Sequence, residues 1–98
     1  MALNRKLTPI IAGRAIKSAS QEDNALTITF SDSSTMRIKT GGQASTDALN
    51  NRTIKSVRQS GTTMNLDFTD GTSAPITLAE ATSSVMLRDA AGKMEYAD

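Results

Sequence analysis

The stretch RTIKSVRQSGTTMNLDFTDG, Arg52 to Gly71, restates RAIKSASQEDNALTITFSDS, Arg14 to Ser33, at a distance of 38 positions. Sliding the chain against itself by that distance aligns residues 8–40 with residues 46–78 without a gap. The identities are Thr8/Thr46, Arg14/Arg52, Ile16/Ile54, Lys17/Lys55, Ser18/Ser56, Gln21/Gln59, Phe30/Phe68, Asp32/Asp70 and Ile38/Ile76. Leu26/Met64, Ile28/Leu66 and Ser31/Thr69 are close substitutions. An internal period constrains topology before any single residue does. A duplicated unit explains this one better than two meanders that happen to share turn residues.

Each unit opens with a helix-start signal, TPIIAG from Thr8 and TDALNN from Thr46. The Thr hydroxyl suits a cap, Pro9 the first helical position, and Asp47 the positive helix end. Gly13 and Asn51 suit the left-handed residue that stops a turn. Three strand-like runs follow. In the middle run Leu26, Ile28 and Phe30 alternate with Thr27 and Thr29, and Met64, Leu66 and Phe68 alternate with Asn65 and Asp67. That period of two predicts strands with one buried face. Asp70-Gly71 predicts a two-residue hairpin, and Asp32-Ser33 a poorer turn at the matching place. Ala15-Ile16-Lys17-Ser18-Ala19 and its counterpart put apolar residues three apart, which predicts a bulge in the opening strand.

Beyond the repeat, residues 77–83 read equally as short helix or loop. SVMLRDAAGKMEYAD reads as two strands around Asp89 to Gly92, a type I turn with Gly in the left-handed position. A third copy of the capped helix over SSVMLRD is the competing reading. A three-stranded meander with one apolar face cannot bury that face alone, whereas two related meanders can bury each other's. The expected fold is therefore mainly β with short helical turns. One domain, residues 1–98, contains units 8–40 and 46–78, a linker 41–45 and a C-terminal hairpin 84–97, packed as one β-sandwich or partly open barrel.

The 98 residues include 38% hydrophobic but only 3% aromatic side chains, so the core must be aliphatic, with Ile, Leu, Met, Val and two Phe. The net charge is +1, too small to name a partner by long-range field. Residues 1–60 nevertheless carry nine basic and four acidic side chains, and residues 61–98 two and six, a polarity that folding is expected to interleave. The chain has no Cys and no His. That removes disulfides, thiolate nucleophiles, imidazole ligands and the usual general base. The opening apolar run, Ile10 to Ala12, is too short for a signal or a span, so a cytoplasmic location is expected. The acceptor triplet Asn51-Arg52-Thr53 has no secretory context and carries no weight.

Ser18 and Ser56 each adjoin a Lys, but strand neighbours point to opposite faces, so neither makes a Ser-Lys dyad. Asp67 and Asp70 lack the further oxygen ligands of a calcium loop, and Gly41-Gly42 lacks the Lys-Ser of a phosphate loop. No cofactor or metal is implied, and no enzyme. The repeated polar residues Arg14, Lys17, Gln21, Arg52, Lys55 and Gln59 are the candidate partner-binding set. Their competing role is structural, with Arg or Gln closing strand ends on backbone carbonyls. The expected function is a small non-enzymatic protein-binding or assembly module that uses its sheet edges, near Ile16 and over Lys93 to Ala97, on an unidentified partner or a second copy. The alternative is weak nucleic-acid binding through Arg14, Lys17, Arg37, Lys39, Arg52, Lys55 and Arg58, with no membrane involved.

Overall fold

A computed structural model describes residues 2–42 and 46–98. Strand β1 is Ala2–Leu3, helix α1 Thr8–Ile11, and the first meander is β2 Ile16–Glu22, β3 Ala25–Phe30 and β4 Thr35–Lys39. The second meander is β5 Ile54–Ser60, β6 Thr63–Phe68 and β7 Ser73–Thr77, and the C-terminal hairpin is β8 Val85–Arg88 and β9 Met94–Ala97. Two antiparallel sheets result, ordered β1-β5-β6-β7 and β2-β3-β4-β8-β9. They pack against each other without closing into a barrel.

The two meanders pair in the same registers 38 positions apart. Leu26 faces Ile38 and Met64 faces Ile76; the bulge falls between Ile16 and Ser18 in β2 and between Ile54 and Ser56 in β5. Lys17 and Lys55 are the extra residues at these bulges. The alternation of β3 and β6 sends Leu26, Ile28, Phe30, Met64, Leu66 and Phe68 inward, and all six are buried. Ile11, Leu49, Ile54, Val85 and Leu87 join them in one aliphatic core.

Two backbone seams join the meanders. At the first, Gly13 donates to Ile54 and Asn51 to Ile16, while Ile16 donates to Arg52 and Ile54 to Arg14, with N···O distances of 2.7 to 3.1 Å. Adding 38 to Gly13 and subtracting 38 from Ile54 gives the Asn51–Ile16 bond, and the Ile16–Arg52 bond gives Ile54–Arg14 in the same way. At the second seam Gly41 donates to Thr77 and Ala79 to Lys39, both at 2.9 Å. Gly41 is thus part of the fold's framework rather than free linker: a side chain there would press on the Leu78 carbonyl at 3.1 Å. The rest of the expected linker, residues 43–45, lies outside the described residues.

Several local expectations are corrected. Thr8 does not cap α1; the N-cap is Leu7, and the Thr8 hydroxyl instead accepts from Val57 N–H at 3.0 Å and donates to its carbonyl at 3.3 Å. Asn4 turns the chain into the helix by accepting from the amides of Lys6 and Leu7. Thr46 to Asn51 forms turns with no helix. Asn50 and Asn51 favour local turn bonds there, whereas Pro9 presets helical φ in the first copy. The two-residue hairpins are Asp23-Asn24 and Gly61-Thr62, with positive φ at Asp23 and Gly61.

Asp70-Gly71 instead sits in a three-residue loop closed by Phe68 N–H on the Thr72 carbonyl, with Gly71 N–H returning to Phe68. The same bonds close Phe30 to Ser34 and Asp89 to Lys93. Each loop has one left-handed residue, Ser33, Gly71 or Gly92. A type I turn leading into a left-handed bulge residue fits the twist of the flanking strands. Residues 79–83 are bends, and Val85 to Arg88 is strand, so the third-helix alternative for SSVMLRD does not hold.

Candidate functional site

The six repeated polar residues do not converge on one cleft. Arg14 and Arg52 each reach the turn carboxylate of their own meander: Arg14 lies 3.5 Å from Asp32, and Arg52 bonds Asp70 and, at 3.0 Å, the Thr72 hydroxyl. Asp32 and Asp70 also accept from the backbone N–H and hydroxyl of Ser34 and Thr72. The Thr72 bonds, helped by Arg52, hold the Asp70 carboxyl down at about 2, and the Ser34 bonds lower Asp32 likewise. Arg14 further grips Glu95 of β9 with two bonds of 2.9 and 3.0 Å and lies 6.0 Å from the centre of the Phe30 ring.

Gln21 donates to the Asp23 carbonyl and the Thr40 hydroxyl, and Gln59 to the Ala81 carbonyl. Gln59 also accepts from Asn4, which bonds the Tyr96 hydroxyl at 3.2 Å. Asn4 thereby links the N-terminal segment, β5 and β9, and partial burial raises the Tyr96 hydroxyl above the usual phenol range. Lys17 and Lys55 are exposed on their bulges and make no hydrogen bond or ion pair among the described residues. The cations of residues 1–60 meet the acidic C-terminal part directly, through Arg14–Glu95, Arg52–Asp70 and Arg58–Asp67. The Arg58 pair is bidentate at 2.7 and 2.8 Å and lowers Asp67.

The sheet edges differ in chemistry. Leu78 N–H bonds Thr62 across to β6, so alternate residues Thr77, Pro75 and Ser73 direct their amide side outward from β7. The missing N–H of Pro75 therefore falls on the open edge, a placement that blocks strand addition. The matching residue in β4 is Arg37, which faces Met86 of β8. Position 37 admits a further strand and position 75 refuses one.

At the far side of the five-stranded sheet, Val85 and Asp98 exchange both backbone bonds at 2.9 and 2.8 Å. Ala97, one residue back, consequently turns its N–H and C=O away from β8, and no described strand pairs with them. The free run is short, because a bulge at Glu95 interrupts the β8-β9 register. Met86 and Met94 are 38% and 45% exposed on this hairpin.

Beside it, on the outer face of the sheet, lies a depression of about 360 Å³ whose lining includes Arg37, Lys39, Val85, Met86, Ala97 and Asp98. The Arg37 and Lys39 side chains are exposed and, among the described residues, make no hydrogen bond or ion pair. In sequence Arg37 and Lys39 stand only as phosphate contacts of the nucleic-acid alternative, and Met86 only as part of a strand. The usable signal was the alternation Val85, Met86, Leu87, Arg88, which puts a methionine on the wet face.

Among the described residues no group of three or more Asp and Glu is placed to hold a metal ion, and no helix is long and apolar enough to cross a membrane. Comparison with protein-family models, with curated proteins and with solved structures finds no match for this chain.

Proposed function

We propose that this domain is a non-enzymatic module that binds an extended segment of a partner protein along β9. The observation that carries the reading is the contrast between two edges of one molecule: β7 is closed by Pro75, whereas β9 presents Ala97 N–H and C=O beside exposed Met86 and Met94. Strand addition uses such backbone groups for affinity and the side chains alongside for choice of partner. The matching registers of the two meanders support descent from one duplicated unit, whose copies diverged at positions 37 and 75 so that only one is extended. A chain without cysteine suits a reducing cytoplasm.

Nucleic-acid binding is the weaker reading. Arg14, Arg52 and Arg58 are committed to carboxylates, which leaves Lys17, Lys55, Arg37 and Lys39 for phosphate contact, and Phe30 and Phe68 are buried, so neither can stack on a base.

Phage-displayed decapeptides selected on the wild-type domain, followed by amide shift mapping of a selected peptide, test the proposal. Shifts confined to β9, β8 and β4 are expected. Ala97→Pro copies onto β9 the block that Pro75 places on β7, removes only an outward donor, and should abolish binding while leaving the melting temperature close to wild type. No enriched peptide, or shifts centred on β7 or β5, refutes it.

A further inference from the structure

We infer that the depression beside β9 selects an acidic partner segment, with a carboxylate side chain seated against Arg37 and Lys39 and an apolar one against Met86. The inference rests on strand addition to β9 and names the chemistry that addition reads. Because the free edge is short, few backbone bonds form there, and each adds little net affinity. Selectivity must come from side chains. Arg37 and Lys39 stand two apart on β4 and so share the wet face of the sheet.

Their lack of an internal carboxylate contrasts with Arg14, Arg52 and Arg58, each neutralised within the fold. Two uncompensated cations at the wall of a partly apolar hollow attract an anion, and Arg adds a fork matched to a carboxylate. Phosphate polymers fit less well, because Val85, Met86 and Ala97 offer apolar contact that a sugar-phosphate backbone does not use. A volume of about 360 Å³ holds one or two side chains.

The test uses two fluorescein-labelled peptides of equal length, alternating Val-Glu and alternating Val-Lys, read by anisotropy at low and moderate salt. The Val-Glu peptide should bind the wild type about tenfold more tightly than the Val-Lys peptide, and the preference should shrink as salt rises. Arg37→Ala with Lys39→Ala should remove the preference. Arg37→Glu with Lys39→Glu should reverse it, which separates loss of selectivity from loss of folding. Equal binding of both peptides, unaltered by these variants, overturns the acidic selectivity while strand addition stands. Binding of neither peptide overturns both. Tight binding of a single-stranded oligonucleotide that the double Ala variant abolishes overturns the inference in favour of a phosphate ligand.

Discussion

Ser33→Gly should stabilise the protein. Ser33, Gly71 and Gly92 occupy the same left-handed position in three like turns, at φ of 73°, 88° and 84°, and only Ser33 carries a side chain. A non-glycine residue pays about 1–2 kcal/mol to enter that region. Glycine returns part of the gain, about 0.4–1 kcal/mol, through the greater freedom of its unfolded chain. The net expectation is about 0.5–1 kcal/mol of added stability. With a urea slope of about 1–3 kcal/mol/M, that moves the midpoint upward by a few tenths of a molar. Gly71→Ser should do the reverse, at about 1 kcal/mol. Beyond its chain neighbours no heavy atom lies within 4 Å of where a Cβ would stand at Gly71, so crowding contributes nothing and the backbone angle alone is measured. Urea denaturation of wild type, both single variants and the double variant decides it. If Ser33→Gly is neutral or destabilising while Gly71→Ser is silent, the turn conformation does not carry the energy assigned to it.

Phe30→Ala and Phe68→Ala should each cost about 3–5 kcal/mol, because both side chains are fully buried in equivalent strands; one severe and one silent variant would show that the two meanders do not share a core. Lys17→Ala and Lys55→Ala, on exposed bulges, should stay within about 0.5 kcal/mol in the same assay. Asp32, Asp67 and Asp70 are all held below the ordinary carboxylate value of about 3.9, so their contribution is complete above that pH and is lost on acidification, for Asp70 through about 2. The urea midpoint should therefore fall below about pH 4, less steeply in Asp70→Asn; a midpoint constant down to pH 2 refutes the assignment. Pro75→Thr restores an outward N–H on β7 and should raise the mass seen by light scattering above that of the wild type, whose chain is 10.4 kDa; an unchanged mass would mean that Pro75 is not what closes that edge.

The alternation of Leu26, Ile28 and Phe30 and of Met64, Leu66 and Phe68 made the inner strands and their buried faces legible from the chain alone, because side-chain direction in a strand depends on local geometry with period two. The bulges at Lys17 and Lys55 were legible for the same reason: a break in that period must be absorbed by one extra residue. The third hairpin, with Gly92 in its turn, was equally local. What tertiary structure decided was everything that depends on distant groups. The Thr8 hydroxyl bonds Val57 across the fold instead of capping its own helix, and Arg52, 18 positions away, meets the Asp70 carboxylate. Arg14 and Arg52 looked like surface cations until the fold brought carboxylates to them. Arg37 and Lys39 stand out because, although Asp98 lines the same hollow, no carboxylate pairs with them. Pro75 and Arg37 occupy one position of the repeat, yet which of them ends a sheet and which continues it depends on where the C-terminal hairpin docks. Local periodicity sets which face a residue occupies; charge pairing and edge exposure are set by segments far apart in the chain, whose meeting no local pattern encodes.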